Sequence, residues 1–240
     1  MIQCALNGDY DRADHLEVPV TLDELVADAV ACHAAGAHSV HLHPRSPTDR
    51  TETLAADVHD SVVSAIRNAA PGLEISCSTQ KDIDLGAAAD RATAVAAWTS
   101  PPDVVSLNLA EDGAVDLGGV LIECGIGIEA GVFTLADAET LVAAPWAAAV
   151  RRVLVEVIFE HDDAAAVELA QAIDLRVAGL GRPRLWHGDG RANWAVVDAG
   201  LAAGVDVRVG LEDTLVGRDG RAAPGNAAQV ADAIARQTKH

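Results

Sequence analysis

Two histidines separated by one residue, His41-Leu42-His43, end a short apolar run in this chain of 240 residues. Side chains alternate along a strand, so both imidazoles point to one side, about 7 Å apart along the chain axis. Neutral ring nitrogens so placed can chelate one Zn²⁺. The competing reading is a pair of hydrogen-bonded interior histidines. Farther on, Arg208-Val209-Gly210-Leu211-Glu212-Asp213 puts a guanidinium inside an apolar run, where an unpaired charge is costly. Glu212 or Asp213 is near enough in sequence to relieve it. Glu212 could also complete a His-His-Glu metal site with one position open for substrate. An ordinary Arg–carboxylate pair at a helix start is the alternative.

Other polar residues also sit at the ends of apolar runs. Asn7-Gly8-Asp9 offers Asp9 as a base or substrate ligand, although Asn-Gly is itself a strong turn signal. Ser76-Cys77-Ser78-Thr79 and Ser106-Leu107-Asn108 carry hydroxyls and an amide. Such groups bind carboxylate or carbonyl oxygens, or they cap the next helix. Glu156 reads as an interior polar contact and His187 as a residue of the mouth, neither with a fixed role. His15, His33, His38, His59 and His161 read as surface or loop residues, and His240 is terminal. Neither G-x-S-x-G nor a Walker P-loop occurs, so serine hydrolase and P-loop chemistry lack support.

Positioning these groups requires strands, and the sequence alternates short β-rich runs with Ala-rich helical ones. The expected strands are Ile2–Leu6, Ser39–Leu42, Leu73–Cys77, Val104–Leu107, Ile126–Val132, Val153–Phe159, Arg184–Trp186 and Val205–Val209. The expected helices begin with one that Thr21-x-x-Glu24 opens as a capping box and Gly36 ends. The others are Val58–Ala69, Gly86–Trp98, Leu117–Glu123, Ala136–Ala148, Ala164–Val177, Ala192–Ala203 and Asn226–Arg236. Near-continuous apolar strands alternating with helices imply a parallel sheet covered by helices. Eight such units predict an α/β (β/α)₈ TIM barrel occupying residues 1–240 as one domain. An open doubly wound sheet lacks its expected G-x-G-x-x-G after the first strand. In a barrel, the second and eighth strands both flank the first, so His41, His43 and Glu212 can converge at the carboxyl ends.

The net charge of −19 argues against nucleic acid and anionic membrane as partners, because both repel an acidic surface. With aromatic residues at 3%, base-stacking platforms are also unsupported. Cys4, Cys32, Cys77 and Cys124 form no C-x-x-C pair, and the first three fall in apolar runs as buried thiols. No signal peptide is expected at the start and no run reaches membrane-spanning length, so a reducing cytoplasm is the expected location.

Four segments together resemble the β-keto acid cleavage enzyme family, whose best-known type is the 3-keto-5-aminohexanoate cleavage enzyme. They are N-G-D, V-P-V-T-x-x-E-L, A-G-A-x-x-V-H-L-H-x-R and V-R-V-G-L-E-D, spanning roughly residues 1–50 and 200–230. The resemblance implies a (β/α)₈ barrel with one Zn²⁺ held by His41, His43 and Glu212. It implies condensation of a β-keto acid with acetyl-CoA, releasing acetoacetate and a new acyl-CoA. Carried over by motif, Asp213 is the general base, oriented by Arg208, and a metal-bound enolate attacks the thioester. Asp9 falls at the position of a family acid, often glutamate. Ser78 or Thr79 matches the family's third-strand hydroxyl, and Asn108 its fourth-strand substrate contact. Arg45, from H-x-R, joins them as a substrate-binding candidate. The family is commonly homotetrameric, which implies a homo-oligomer here.

CoA phosphates would need a local basic patch, for which Arg12, Arg45, Arg50, Lys81, Arg218 and Arg221 are available. Two other functions fit the same residues. One is metal-assisted hydrolysis or retro-aldol cleavage without CoA. The other is a non-catalytic barrel that binds a metal or small acid. Amidohydrolase barrels also use H-x-H, but on the first strand and with histidines on the fifth and sixth, which these strands lack.

Overall fold

In the computed structural model, which describes residues 1–85, 90–158, 160 and 162–237, strands and helices alternate from end to end. The strands are β1 (Ile2–Ala5), β2 (Ser39–Leu42), β3 (Glu74–Ser78), β4 (Val104–Asn108), β5 (Gly127–Val132), β6 (Arg152–Val157), β7 (Arg184–Gly188) and β8 (Asp206–Val209). The helices are α1 (Leu22–Ala34), α2 (Ala56–Ala69), α3 (Arg91–Ala96), α4 (Ala114–Glu123), α5 (Leu135–Ala143), α6 (Asp163–Val177), α7 (Asn193–Ala203) and α8 (Asn226–Gln237). All strand pairs are parallel and follow chain order. Gln3 of β1 is in register with Ser39 of β2 on one side and with Arg208 of β8 on the other, which closes the barrel.

The apolar core lies outside the barrel wall. Cys4, Val40, Ile75, Cys77, Val197 and Val207 belong to one cluster between strands and helices. Val105, Ile128, Val153, Trp186 and Val196 belong to another. The barrel interior is polar. Gln3 on β1 donates a hydrogen bond across the lumen to Glu129 on β5 at 2.6 Å. Arg208, placed in an apolar run, faces inward and meets carboxylates there, as burial of a guanidinium demands.

Most element boundaries agree with the pattern, and the departures have local causes. Thr21 and Glu24 form the expected capping box on α1. The third helix is shorter than expected because Asp90 caps it, accepting from Thr93 N at 2.7 Å; residues 86–89 lie outside the described residues, as do Phe159, His161 and His240. The fifth helix stops at Ala143, not Ala148, because Ala144 precedes Pro145 and is extended, with ψ 136°. A 3₁₀ turn over Ala147–Ala149 follows. The seventh strand extends past Trp186 to Gly188, which carries His187 into the wall.

His59, expected at the surface, is instead buried on α2 and stacked on Trp98 at 3.8 Å between ring centroids. Neither ring nitrogen has a hydrogen-bond partner among the described residues. Burial therefore pushes its pKa from 6.5 down to about 3. The unfolded chain takes up this proton near pH 6.5 and the folded chain does not. Stability is then full above that pH and falls as pH drops towards 3. The cost between pH 7 and 5 is about 2 kcal/mol. Urea titrations at the two pH values should show His59→Phe losing less stability than the parent by that amount. Equal losses would mean that His59 is not buried neutral. No helix among the described residues is long and apolar enough to cross a membrane.

Candidate active site

His41, His43 and Glu212 converge at the carboxyl end of the barrel. Their potential ligand atoms all lie within 4.8 Å of one another. His41 Nε2 is 3.6 Å from Glu212 Oε1, and His43 Nε2 is 3.7 Å from Glu212 Oε2. The two rings meet edge-on, 5.3 Å apart. Each Nδ1 is occupied from behind: that of His41 by Ser76 Oγ at 2.9 Å, that of His43 by Glu52 Oε2 at 2.7 Å. Both Nε2 atoms thus face Glu212, the outer-partner arrangement typical of metal-binding histidines.

The electrostatics point the same way. Glu212 Oε2 is buried without a hydrogen-bond partner among the described residues, and burial raises the Glu212 pKa despite Arg208 and His43 nearby. Burial, with Arg208 and His43 close by, drives the His41 pKa well below 6.5, keeping it neutral. For His43, burial opposes charge, but Glu212 and Glu52 outweigh it and raise the pKa. A buried carboxylate that faces two imidazole nitrogens, one with each oxygen, fits a divalent cation of the Zn²⁺ type.

Glu212 reaches this position only because residue 8 is glycine. A Cβ there would lie 2.5 Å from Glu212 Cγ, and its φ of +49° already disfavours other residues. Asn7-Gly8-Asp9 is therefore the expected turn, closed by Tyr10 N donating to Asn7 O at 3.2 Å. It also serves the site. The Asn7 side chain accepts from His43 N and donates to His43 O, both at 2.9 Å.

Asp213 occupies the adjoining wall. Its Oδ1 accepts from Arg208 Nη2 at 2.6 Å, and Arg208 Nε stands 3.3 Å from Oδ2. His187 Nδ1 is 3.2 Å from the same Oδ1, and its Nε2 is 3.1 Å from Glu156 Oε2. Burial pushes the Asp213 pKa up, but Arg208 and His187 outweigh it and hold the carboxyl below its usual range. His187 loses charge to burial and to Arg208, yet Asp213 and Glu156 raise its pKa to about 9. An ionised, doubly anchored carboxylate thus faces a cavity of about 420 Å³ that also opens on His41, His43 and Glu212.

The remaining candidates divide. Ser78 and Asn108 line that cavity, together with Ser106. Thr79 is buried and donates its hydroxyl hydrogen to Ser106 O at 2.6 Å. Arg45 donates to Gly8 O at 2.6 Å and to Tyr10 O at 2.9 Å, which ties the β1 turn to the β2 loop. Asp9 stands at the cavity rim, where burial and a hydrogen bond with Glu52 raise its pKa. Among the basic residues considered for CoA, Arg12 pairs with Glu24 and Arg218 with Asp198 and Asp232. Sequence reasoning missed Glu52, and gave His187 and Ser76 no part beside the histidines. Glu52 lies in a loop without periodicity. His187 lies on a strand whose His-Gly-Asp-Gly end reads as a turn.

With this geometry, the chain's relatives are informative. The family model for beta-keto acid cleavage enzymes matches residues 1–239. A 3-oxoadipate:acetyl-CoA acetyltransferase from Cupriavidus necator is 38% identical over 80 residues, covering 33% of this chain and 28% of the relative. A solved ternary complex of ObcA with a C4-CoA adduct and oxalate superposes with a TM-score of 0.75 at 18% identity, over 93% of this chain and 64% of that one. A binary complex of ObcA with oxaloacetate gives 0.72 at 19%, over 92% and 63%. The 3-dehydroquinate dehydratase from Aquifex aeolicus VF5 gives 0.62 at 12%, over 100% and 98%. At these identities the structural likeness is one of fold. The matches span less than two thirds of the length of the acetyltransferase and of ObcA.

Proposed function

The chain belongs to the beta-keto acid cleavage enzyme family, and on that premise we propose that it condenses a β-keto acid with acetyl-CoA to give acetoacetate and a new acyl-CoA. His41, His43 and Glu212 would hold a divalent ion, for which zinc suits the donor set, and it would supply Lewis acidity to the oxygens of the keto acid. Asp213 removes a proton from the carbon between the two carbonyl groups. Arg208 and His187 keep its carboxylate ionised and aimed into the cavity. They also make it a weak base, which suits a 1,3-dicarbonyl compound whose proton is already acidic.

The resulting enolate carbon attacks the acetyl thioester. A carbon–carbon bond forms and the CoA thiolate leaves. The thiolate then adds to the original keto carbonyl. The bond between that carbonyl carbon and the carbon that attacked the thioester breaks, and Asp213 returns its proton to the latter, releasing acetoacetate and the new acyl-CoA. Ser78 and Asn108 contact the keto acid from the cavity wall. Thr79, Arg45 and Asp9 act on position: Thr79 on the β4 end, Arg45 on the Asn7–Tyr10 turn, Asp9 on Glu52.

The observation that carries this reading is the buried Glu212 carboxylate, whose Oε1 and Oε2 face His41 Nε2 and His43 Nε2 and whose Oε2 accepts no hydrogen bond among the described residues, with Asp213 on the same cavity. Elemental analysis of untagged protein should find close to one zinc per chain. A mass-spectrometric screen of β-keto acids with acetyl-CoA should detect acetoacetate and a new thioester. Zinc without CoA-dependent turnover would favour hydrolysis or retro-aldol cleavage. No metal, even after zinc is added back, would overturn the proposal.

A further inference from the structure

Ser76, read from sequence as a substrate contact or a cap, does neither in the fold. It stands buried between His41 Nδ1, at 2.9 Å, and Glu129, to whose Oε2 its hydroxyl donates. Glu129 is fully buried on β5. Its Oε1 accepts from Gln3 Nε2 at 2.6 Å and from Arg152 Nε at 2.6 Å. Arg152 Nη2 pairs in turn with Glu74.

Proton counting through this chain has one outcome. A carboxylate beside a guanidinium has no hydrogen to give. A serine hydroxyl has one, and Glu129 takes it. Ser76 Oγ can then only accept from His41, so Nδ1 carries the ring proton. The Nε2 lone pair is thereby turned towards Glu212. His43 reaches the same tautomer directly through Glu52. We propose that Glu129 is a positioning residue that fixes, through Ser76, the metal-binding tautomer of His41. Buried ion pairs are poor stabilisers compared with apolar packing of similar volume. A directional task accounts for keeping Glu129 and Arg152 in the lumen.

The inference rests on the reading of His41, His43 and Glu212 as metal ligands, and its test separates the two. In Glu129→Gln the amide oxygen keeps its place opposite Arg152 and Gln3, both donors. The amide nitrogen then faces Ser76 and donates to it, which frees the serine hydrogen to turn towards His41 Nδ1. ¹⁵N NMR of metal-free protein should show the His41 proton on Nδ1 in the parent and shifted towards Nε2 in the variant. Zinc affinity, measured by chelator competition, should fall by about 10- to 100-fold. Should Glu129→Gln not fold, Ser76→Ala decides, since it removes the acceptor and leaves the Glu129–Arg152 pair in place. An unchanged tautomer with zinc affinity within about twofold of the parent, in a folded variant, would overturn the proposal. A parent that binds no zinc would sink the metal reading alone, and the tautomer measurement would still judge the relay.

Discussion

Asp213→Asn is expected to take up metal to the same stoichiometry as the parent and to lose turnover by on the order of 10³-fold. The substitution keeps the shape and removes the basicity. Oδ1 of Asp213 serves both Arg208 and His187, so the amide oxygen of asparagine settles there. Its NH₂ group then faces Arg208 Nε across the longer 3.3 Å contact, which the fold can absorb. The step affected is isolated by omitting acetyl-CoA and following exchange of the keto acid's C2 hydrogens in deuterium oxide. The parent should accelerate exchange above the buffer rate, and the variant should not. Exchange at the parental rate by a folded, metal-loaded variant would mean that another group takes the proton.

How much of this site could be read from the sequence depends on whether a residue's surroundings are local. His41 and His43 are legible because a strand places alternate residues on one face. Arg208 with Glu212 and Asp213 is legible because a charge inside an apolar run must find a partner close by. The same rule marks Glu129, Arg152 and Glu156, each a charge within a strand's apolar run. Their partners lie 23, 78 and 31 residues away in sequence, so no local pattern pairs them. The polar lumen is a product of barrel closure, which brings β1 against β8 and sets Gln3 opposite Glu129. Glu52 stands apart, because its loop is fixed by Arg45 and by an isolated bridge to residue 45, both invisible to periodicity. The elements themselves were legible nearly throughout. Two of the exceptions are set by single residues, Asp90 as a cap and Pro145 as a stop, and a third is the seventh strand, which runs on to Gly188.

Glu212→Ala should abolish stoichiometric metal binding together with activity, and its stability should no longer respond to the ion. In the absence of a cation, Glu212 is a liability. Its carboxylate is buried, one oxygen has no hydrogen-bond partner among the described residues, and burial raises its pKa. Arg208 does not depend on it, because Asp213 already provides the closer contact, 2.6 Å against 3.2 Å. Removing the side chain from metal-free protein should therefore cost little stability. With the ion at about one hundred times its dissociation constant, the parent gains about 2.7 kcal/mol, equivalent to a rise in Tm of about 5 to 10 °C for a domain of this size. Thermal scans of parent and variant, each with and without zinc, separate these contributions. The parent's Tm should rise with zinc and the variant's should stay where it was. A variant that still gained the full shift would show that zinc binds elsewhere, and the pairing of Glu212 with His41 and His43 would then need another explanation.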